Sequence, residues 1–195
     1  MKGDLKLFHS QYETSCRVLI YKCVYPFPKS LVKPLIWKLD ACPLYQSTIA
    51  SVEHPDGVDA AVGRRQVCHF PSGGKLTRHV NFIDDDNIFF GASGLPFPIT
   101  FITNHTTLVA INENSCEYRS ELSFEFKYGI QWFPILGNKI FNTLVNNAID
   151  DSMGLLHYLG TGELVNTETD LSKYKTKVDY EVSGDVPTKL SCFGM

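Results

Sequence analysis

Short segments in which apolar and polar residues alternate occupy most of the chain up to about residue 130. This alternation is typical of β-strands that bury one face. Turn sequences separate the segments, such as HPDG at 54–57 and PSGG at 71–74. The pattern predicts seven strands, over residues 16–24, 47–53, 60–70, 75–83, 88–92, 99–111 and 116–128.

The period changes after Pro134. Between residues 135 and 159 the apolar positions recur three or four residues apart, which predicts one long helix that ends near Gly160 and Gly162. A shorter helical stretch at 29–39 contains Pro34 and should be short, kinked or broken. A second short helical turn is predicted at 41–46, so two short helices follow the first strand. Strands joined by successive hairpins form an antiparallel sheet. We therefore expect an α+β fold in which the long helix buries its apolar stripe against the concave face of the sheet.

Composition narrows the function classes. The net charge is −3, so the chain lacks the excess of basic residues that nucleic-acid binding requires. No segment reads as a signal peptide or a membrane span, and we expect a cytoplasmic protein. The six cysteines show no metal-binding spacing, and neither a metal nor a cofactor is expected. We interpret the acidic run at 84–86 as a solvated turn. Asp151 is close to the apolar stripe of the long helix and could face the cavity, but we expect it to lie on the surface.

Between residues 14 and 160 the motifs VGRR at 62–65, SGG at 72–74, Arg78, LPFP at 95–98 and LSFEF at 122–126 follow one another in a characteristic order. This order resembles the helix-grip superfamily of START and Bet v 1-like proteins, and most of all its polyketide cyclase/dehydrase branch. Thr77 stands where the branch commonly has glutamate. The resemblance implies an N-terminal segment (1–13), one ligand-binding domain (14–162) and a polar tail (163–195), in which 174–182 alternates like a further strand.

Alternation also predicts which side chains face the cavity between sheet and helix. In the last strand Tyr118, Ser120, Leu122 and Phe124 share the inward face. If the preceding turn is centred between Glu113 and Asn114, then Val109 opposes Tyr118. Phe101, Thr103 and His105 then point inward as well. A bulge would reverse this prediction, because a slip of one residue turns every side chain to the other face.

The same reasoning applies to the hairpin closed by residues 71–74. Placing Val67 opposite Arg78 turns Arg65, Val67 and His69 inward together with Arg78. From the helix stripe, Leu144 and Ala148 should complete the wall. The sequence thus predicts a ligand-binding set of Arg65, His69, Arg78, Phe101, Thr103, His105, Tyr118, Ser120, Phe124, Leu144 and Ala148.

Buried arginines need an anionic or polar partner. A small hydrophobic ligand with an acidic or carbonyl group would supply one, and the resemblance implies a polyketide-, terpenoid- or lipid-like molecule. Three interpretations remain open. The protein is a carrier, or it is a cofactor-independent cyclase, dehydratase or isomerase with His105 and Arg78 as candidate catalytic residues. In the third interpretation, side chains fill the cavity and the domain serves only for protein interaction.

Overall fold

The computed structural model describes residues 17–94, 99–126 and 134–183. These residues form eight strands and two α-helices in the order predicted from the sequence. The strands are β1 (Arg17–Tyr25), β2 (Ser51–Glu53), β3 (Arg65–His69), β4 (Lys75–Ile83), β5 (Asn87–Ser93), β6 (Ile99–Asn112), β7 (Ser115–Phe126) and β8 (Val178–Ser183). The helices are α1 (Lys29–Trp37) and α2 (Pro134–Thr161), and two 3-10 turns lie at Cys42–Leu44 and Ser172–Lys177.

All eight strands belong to one antiparallel sheet in the order β2-β3-β4-β5-β6-β7-β1-β8. Strands β2 to β7 follow the chain as successive hairpins, as the turn sequences predict. The N-terminal strand β1 pairs with β7, and β8 then pairs with the free side of β1. The second half of the alternating segment predicted at 174–182 is therefore a strand, whereas residues 174–177 belong to the 3-10 turn before it. The sheet extends beyond residue 162 into the predicted tail.

Helix α2 covers the concave face of the sheet, as its apolar stripe predicts. Its residues Val145, Ala148, Leu155 and Leu156 are buried, and they join a core that includes Leu19, Tyr25, Leu108 and Phe124 from the strands. The helix ends where predicted, because Gly162 adopts a positive φ of 75° and its N–H donates to the carbonyl of Tyr158 at 2.8 Å.

The segment between β1 and β2 packs against the same helix. Gly154 of α2 lies so close to this segment that a Cβ atom there would be 2.1 Å from the carbonyl oxygen of Tyr45. Further along, the N–H of Val165 donates to the carbonyl of Leu44 at 3.1 Å. These contacts place the 3-10 turn and the residues after it at one end of the cavity.

The acidic turn between β4 and β5 is exposed, as expected. The Asp84 carboxylate accepts hydrogen bonds from the backbone N–H groups of Asp86 and Asn87, which closes the turn. Asp85 and Asp86 form ion pairs with Lys29 and Lys33 of α1. Exposed pairs of this kind contribute little stability.

Several predicted features lie outside the described residues: the N-terminal segment 1–13, the bend at 95–98, and the tail beyond 183. Neither helix of the described part of the chain is long and apolar enough to cross a membrane.

Candidate functional site

A cavity of about 220 Å³ lies between the concave face of the sheet, the segment 36–49 and α2. The hollow on which every small-molecule interpretation depends is therefore present. Much of its wall is apolar and comes from Leu76, Phe90, Ile102, Leu122, Leu144 and Leu155. A few polar groups interrupt this wall, and they determine what the cavity can bind.

Arg78 of β4 reaches the cavity as predicted, and its surroundings are unusual for a cation. Its Nη1 donates to the side-chain oxygen of Gln66 at 3.4 Å. Within the described part of the chain no carboxylate oxygen lies within 4 Å of its guanidinium. Burial alone would lower the pKa of Arg78, but the neighbouring groups Cys68, Cys42 and Tyr45 raise it, so the side chain stays charged.

Gln66 determines where the guanidinium lies. Its position directly opposite Arg78 in the β3–β4 ladder brings the two side chains to the same face. The Gln66 amide nitrogen donates to the carbonyl of Leu39 and to Cys42 Sγ, the latter at 3.2 Å. Because the amide nitrogen is occupied in this way, the amide oxygen is directed at Arg78. Gln66 is 3% exposed, so the arginine has a buried and oriented neutral partner.

Two thiols lie behind the arginine. Cys42 lines the cavity, whereas Cys68 is fully buried and does not. A hydrogen bond between the two raises the pKa of Cys42 and lowers that of Cys68, and the Arg78 charge lowers both. The positive charge of Arg78 therefore favours the ionised form of Cys68, which lies outside the cavity.

Asp151 lines the opposite wall, on α2, contrary to the expectation that it lies on the surface. It follows Ala148 by three residues and precedes Leu155 by four, so the cavity-facing side of the helix carries it inward. Burial raises the pKa of Asp151 to about 8, and the Arg78 charge only partly opposes this effect. No hydrogen bond or ion pair joins its carboxyl group to any other described residue.

Four tyrosine hydroxyl groups add further polarity to a lining that also includes Lys38, Gln46, Thr48 and Asn147. The hydroxyl groups of Tyr21 and Tyr118 lie 3.4 Å apart, and that of Tyr25 donates to the carbonyl of Ser152 at 3.5 Å. Burial raises the pKa of Tyr21, Tyr25, Tyr45 and Tyr118, so all four stay neutral hydrogen-bonding groups at physiological pH. Phenol rings therefore line the cavity without filling it.

The predicted inward face of β6 is wrong, and a bulge is the reason. The turn is where the sequence places it, with Asn112 opposite Ser115, but the register shifts between Ala110 and Asn112. Beyond the shift Tyr118 faces Leu108 and Ser120 faces Thr106. The side chains that β6 contributes to the cavity are Ile99, Ile102, Asn104 and Thr106, and not Phe101, Thr103 or His105.

His105 consequently lies away from the cavity. Its Nε2 is 3.3 Å from the side-chain oxygen of Asn87, and its ring packs edge-on against Phe89 at 6.2 Å between centroids. This location removes the basis for the catalytic role predicted for His105. In its place Asn104 enters the cavity, where its side-chain oxygen accepts hydrogen bonds from Ser120 at 2.7 Å and Thr106 at 3.1 Å.

The prediction for β3 is wrong for a similar reason. Phe70 pairs with Gly74, because its N–H donates to the Gly74 carbonyl at 2.8 Å, and the turn therefore contains three residues. Gly73, at a φ of 85°, supplies the left-handed position that such turns need. The slip brings Gln66 and Cys68 inward and turns Arg65, Val67 and His69 to the other face. There Arg65 pairs with Asp56 at 2.9 Å and His69 with Glu53 at 3.1 Å.

The remaining predicted residues lie on the expected faces. Tyr118, Leu144 and Ala148 line the cavity. Ser120 and Phe124 point inward and are fully buried, but they belong to the core beside the cavity and not to its wall. Sequence reasoning missed Gln66, Tyr45 and Asn104. A correct register would have found Gln66 and Asn104, whereas nothing in the local sequence of Tyr45 indicates its position.

Comparison with solved structures identifies the class of fold. The chain is similar to a START superfamily protein from Mycobacterium smegmatis (13% identity, TM-score 0.51), of which it covers 94%, over 68% of its own length. It is also similar to norcoclaurine synthase from Thalictrum flavum in complex with dopamine and hydroxybenzaldehyde (12% identity, TM-score 0.56). The match spans 80% of this chain and 92% of the synthase.

A third similar structure is the di-domain ARO/CYC BexL from the BE-7585A biosynthetic pathway. There the identity is 12% and the TM-score 0.59, over 73% of this chain and 46% of the longer protein. The chain therefore has the helix-grip fold of START and Bet v 1-like proteins, and the predicted resemblance is confirmed as a likeness of fold. No family model matches the sequence, and neither does any curated protein.

Proposed function

We propose that the protein binds a small, largely apolar molecule in this cavity and that Arg78 anchors an anionic or carbonyl oxygen of the ligand. The observation that carries the proposal is the guanidinium itself. It lies in the wall of an apolar cavity, with the neutral Gln66 as its hydrogen-bond partner at 3.4 Å. An arginine has five N–H donors, so this contact leaves donor capacity for a ligand.

Energetics favour a ligand over a purely structural role for Arg78. A buried charge without a close partner costs several kcal/mol, and the two sides of the cavity offer no carboxylate within 4 Å among the described residues. An oxygen anion that enters the cavity would form charge-assisted hydrogen bonds with the guanidinium. Its apolar body would meanwhile contact Phe90, Ile102 and Leu122.

The size of the cavity limits the ligand. A volume of about 220 Å³ suits a molecule of one or two fused rings better than a long lipid. Burying roughly 200 Å² of apolar surface would contribute about 5 kcal/mol. The similar norcoclaurine synthase structure holds two small aromatic compounds, dopamine and hydroxybenzaldehyde, which supports a ligand of this size. A carrier and an enzyme share these requirements.

A pair of isosteric probes tests the anchoring role. At pH 7 naphthalene-2-carboxylate is an anion, while naphthalene-2-carboxamide has the same shape and no charge. We expect the wild type to bind the carboxylate more tightly than the amide in isothermal titration calorimetry. Replacing Arg78 with Gln should remove about 2 kcal/mol of binding free energy from the carboxylate, about a 30-fold loss, and should change the affinity for the amide far less.

Arg119→Gln is the matched control, because Arg119 is exposed on β7 next to the cavity-lining Tyr118. It removes the same charge from the same sheet but from its outer face. Equal losses of carboxylate affinity in both variants would indicate a long-range charge effect and would contradict anchoring by Arg78. Absence of binding for both probes in the wild type would contradict the proposed cavity ligand.

A further inference from the structure

The cavity contains a second group that a carrier does not need. Asp151 directs a carboxyl group into the space, and no described residue gives it a hydrogen bond or an ion pair. The next residue on α2 does have a partner, because the Ser152 hydroxyl donates to the carbonyl of Ala148 at 3.3 Å. A half-buried carboxyl group without a protein partner in an apolar cavity is costly for the fold in its charged form. Such a group at a ligand cavity is a candidate for a role toward the ligand.

We infer that Asp151 is a proton-transfer residue that enolises a small apolar ketone held in the cavity, with Arg78 stabilising the enolate oxygen. The inference rests on the proposed function, because the ketone oxygen takes the place of the anchored oxygen at Arg78. The ligand class is thereby narrowed to ketones that carry a hydrogen on the carbon next to the carbonyl group.

The geometry places the two groups on opposite walls. Arg78 projects from β4 and Asp151 from α2, and both line the cavity. They are farther apart than 4 Å, so they do not neutralise each other in a direct ion pair. They are near enough for the charge of Arg78 to act on Asp151. A carbonyl oxygen at the arginine would direct the adjacent carbon toward the carboxylate.

The step conserves atoms and electrons without a co-reactant. The Asp151 carboxylate removes a proton from the α-carbon, and the electron pair of that C–H bond forms the carbon–carbon double bond of the enolate. The carbonyl π pair moves to oxygen, where the developing charge accepts hydrogen bonds from Arg78. Asp151, now a carboxylic acid, returns a proton to the same carbon or to another carbon of the conjugated system. Return to a different carbon would be an isomerisation.

The charges around Asp151 set the pH at which it acts. It is near Arg78 on β4, Cys68 on β3 and Cys42 in the 3-10 turn, near the phenols Tyr21, Tyr45 and Tyr118, and next to Asp150 on its own helix. Burial, Asp150 and Cys68 raise its pKa, and Arg78 opposes them, with a net value of about 8. A general base works best when its pKa is close to the working pH. Proton abstraction should therefore increase as the pH rises through about 8.

Deuterium exchange of 2-tetralone in D₂O tests the inference. Proton NMR follows the loss of its α-protons, and the uncatalysed rate is subtracted. We expect the wild type to accelerate exchange and Asp151→Asn to reduce that acceleration by about 100-fold. Asp150→Asn is the matched control, since Asp150 is the exposed neighbour on the same helix. It should retain exchange, with the rise in rate shifted to lower pH because a charge that raises the Asp151 pKa is gone.

Naphthalene-2-carboxamide binding, measured on the same samples, separates the two proposals. If Asp151→Asn still binds naphthalene-2-carboxamide but no longer accelerates the exchange of the 2-tetralone α-protons, the result supports proton transfer by Asp151. Wild-type protein that binds both naphthalene probes but gives no exchange above background overturns the inference and leaves the proposed binding function standing. Equal exchange in wild type and Asp151→Asn also overturns it. Failure of the wild type both to bind and to exchange contradicts both proposals.

Discussion

Replacing Gly154 with Ala should destabilise the protein, although alanine is the better helix former. A Cβ atom at this position would lie 2.1 Å from the carbonyl oxygen of Tyr45, 3.2 Å from its carbonyl carbon and 3.5 Å from Val165 Cγ2. Ordinary carbon contacts are about 3.5 Å or longer, so the backbone of Tyr45 or the helix must move by roughly 1.4 Å. Both neighbours are anchored: the N–H of Tyr45 donates to the Cys42 carbonyl at 3.2 Å and that of Val165 to the Leu44 carbonyl at 3.1 Å.

The magnitude follows from two opposing effects. Overpacking of this kind costs about 3 kcal/mol at the upper end of its usual range. Replacing glycine with alanine in a helix returns about 1 kcal/mol. We therefore expect the free energy of unfolding to fall by about 2 kcal/mol. Because Tyr45 lines the cavity, the affinity for naphthalene-2-carboxylate should fall as well.

Gly160 in the same helix gives the matched control. No atom lies within 4 Å of a Cβ built there, so Gly160→Ala should be neutral or stabilising by up to about 1 kcal/mol. Urea denaturation followed by far-ultraviolet circular dichroism measures both variants against the wild type. A denaturation midpoint for Gly154→Ala equal to that of Gly160→Ala, with unchanged m-values, would refute the close contact between α2 and the Tyr45 backbone.

Three further predictions test the register, the outer face and the buried carboxyl group. Gly73→Ala should lower the free energy of unfolding by about 1 kcal/mol, because residue 73 adopts a φ of 85° with open space around it. Gly73→Asn should lower it less. Equal free energies of unfolding for the two variants in chemical denaturation would contradict a positive φ at residue 73. Arg65→Ala and His69→Ala should leave the affinity for naphthalene-2-carboxylate unchanged and should alter stability little, since both side chains pair on the outer face. A large loss of carboxylate affinity in calorimetric titration would contradict their placement on that face. Asp151→Asn should become more stable relative to the wild type as the pH rises from about 4 to 8. The pKa of Asp151 lies near 8 in the folded state and near 3.8 in the unfolded state, so the folded wild type binds more protons in this range. The wild type therefore loses up to about 1.4 kcal/mol of stability per pH unit across it. Urea midpoints that show the same pH dependence for both proteins would rule this out.

Most of the fold could be predicted because its signals are local. Alternation, turn sequences and one long amphipathic stripe determine the element order, and they place α2 within two residues of its observed ends. The predicted strands at 47–53 and 60–70 are longer than β2 and β3. Residues 61–64 instead form a turn, in which the Arg64 N–H donates to the Ala61 carbonyl. Gly63, at a φ of 86°, breaks the strand here, although Val62 beside it favours one.

The sequence could not predict to which face of the sheet each side chain of β3 and β6 points, because this depends on the pairing register of the strands. A single bulge before Asn112 exchanges His105 for Asn104 and Thr106, and a turn at Gly73 that is one residue shorter than predicted exchanges Arg65 for Gln66. Each event involves one residue, yet it turns a whole strand over. Strand β7 was predicted correctly because its own alternation is unambiguous, with charged residues at 117, 119, 121 and 125. Arg78 was predicted correctly because β4 has an equally clear apolar face.

Asp151 shows how stability and the proposed chemistry oppose each other. The helix spacing that brings Ala148 and Leu155 to the cavity also brings the carboxyl group there, among groups that do not hydrogen-bond it. A neutral amide of the same shape would avoid the cost of burying the charged form, so Asn is the more stabilising residue above about pH 4. The base that removes a proton from a ketone is the charged form. If Asp151 transfers a proton to and from the ligand, Asp151→Asn must therefore be more stable and must also lose the deuterium exchange of 2-tetralone. This is the usual trade-off between stability and activity at a functional residue. A residue that serves only the core would lose stability on replacement, and the exchange rate would follow the folded fraction.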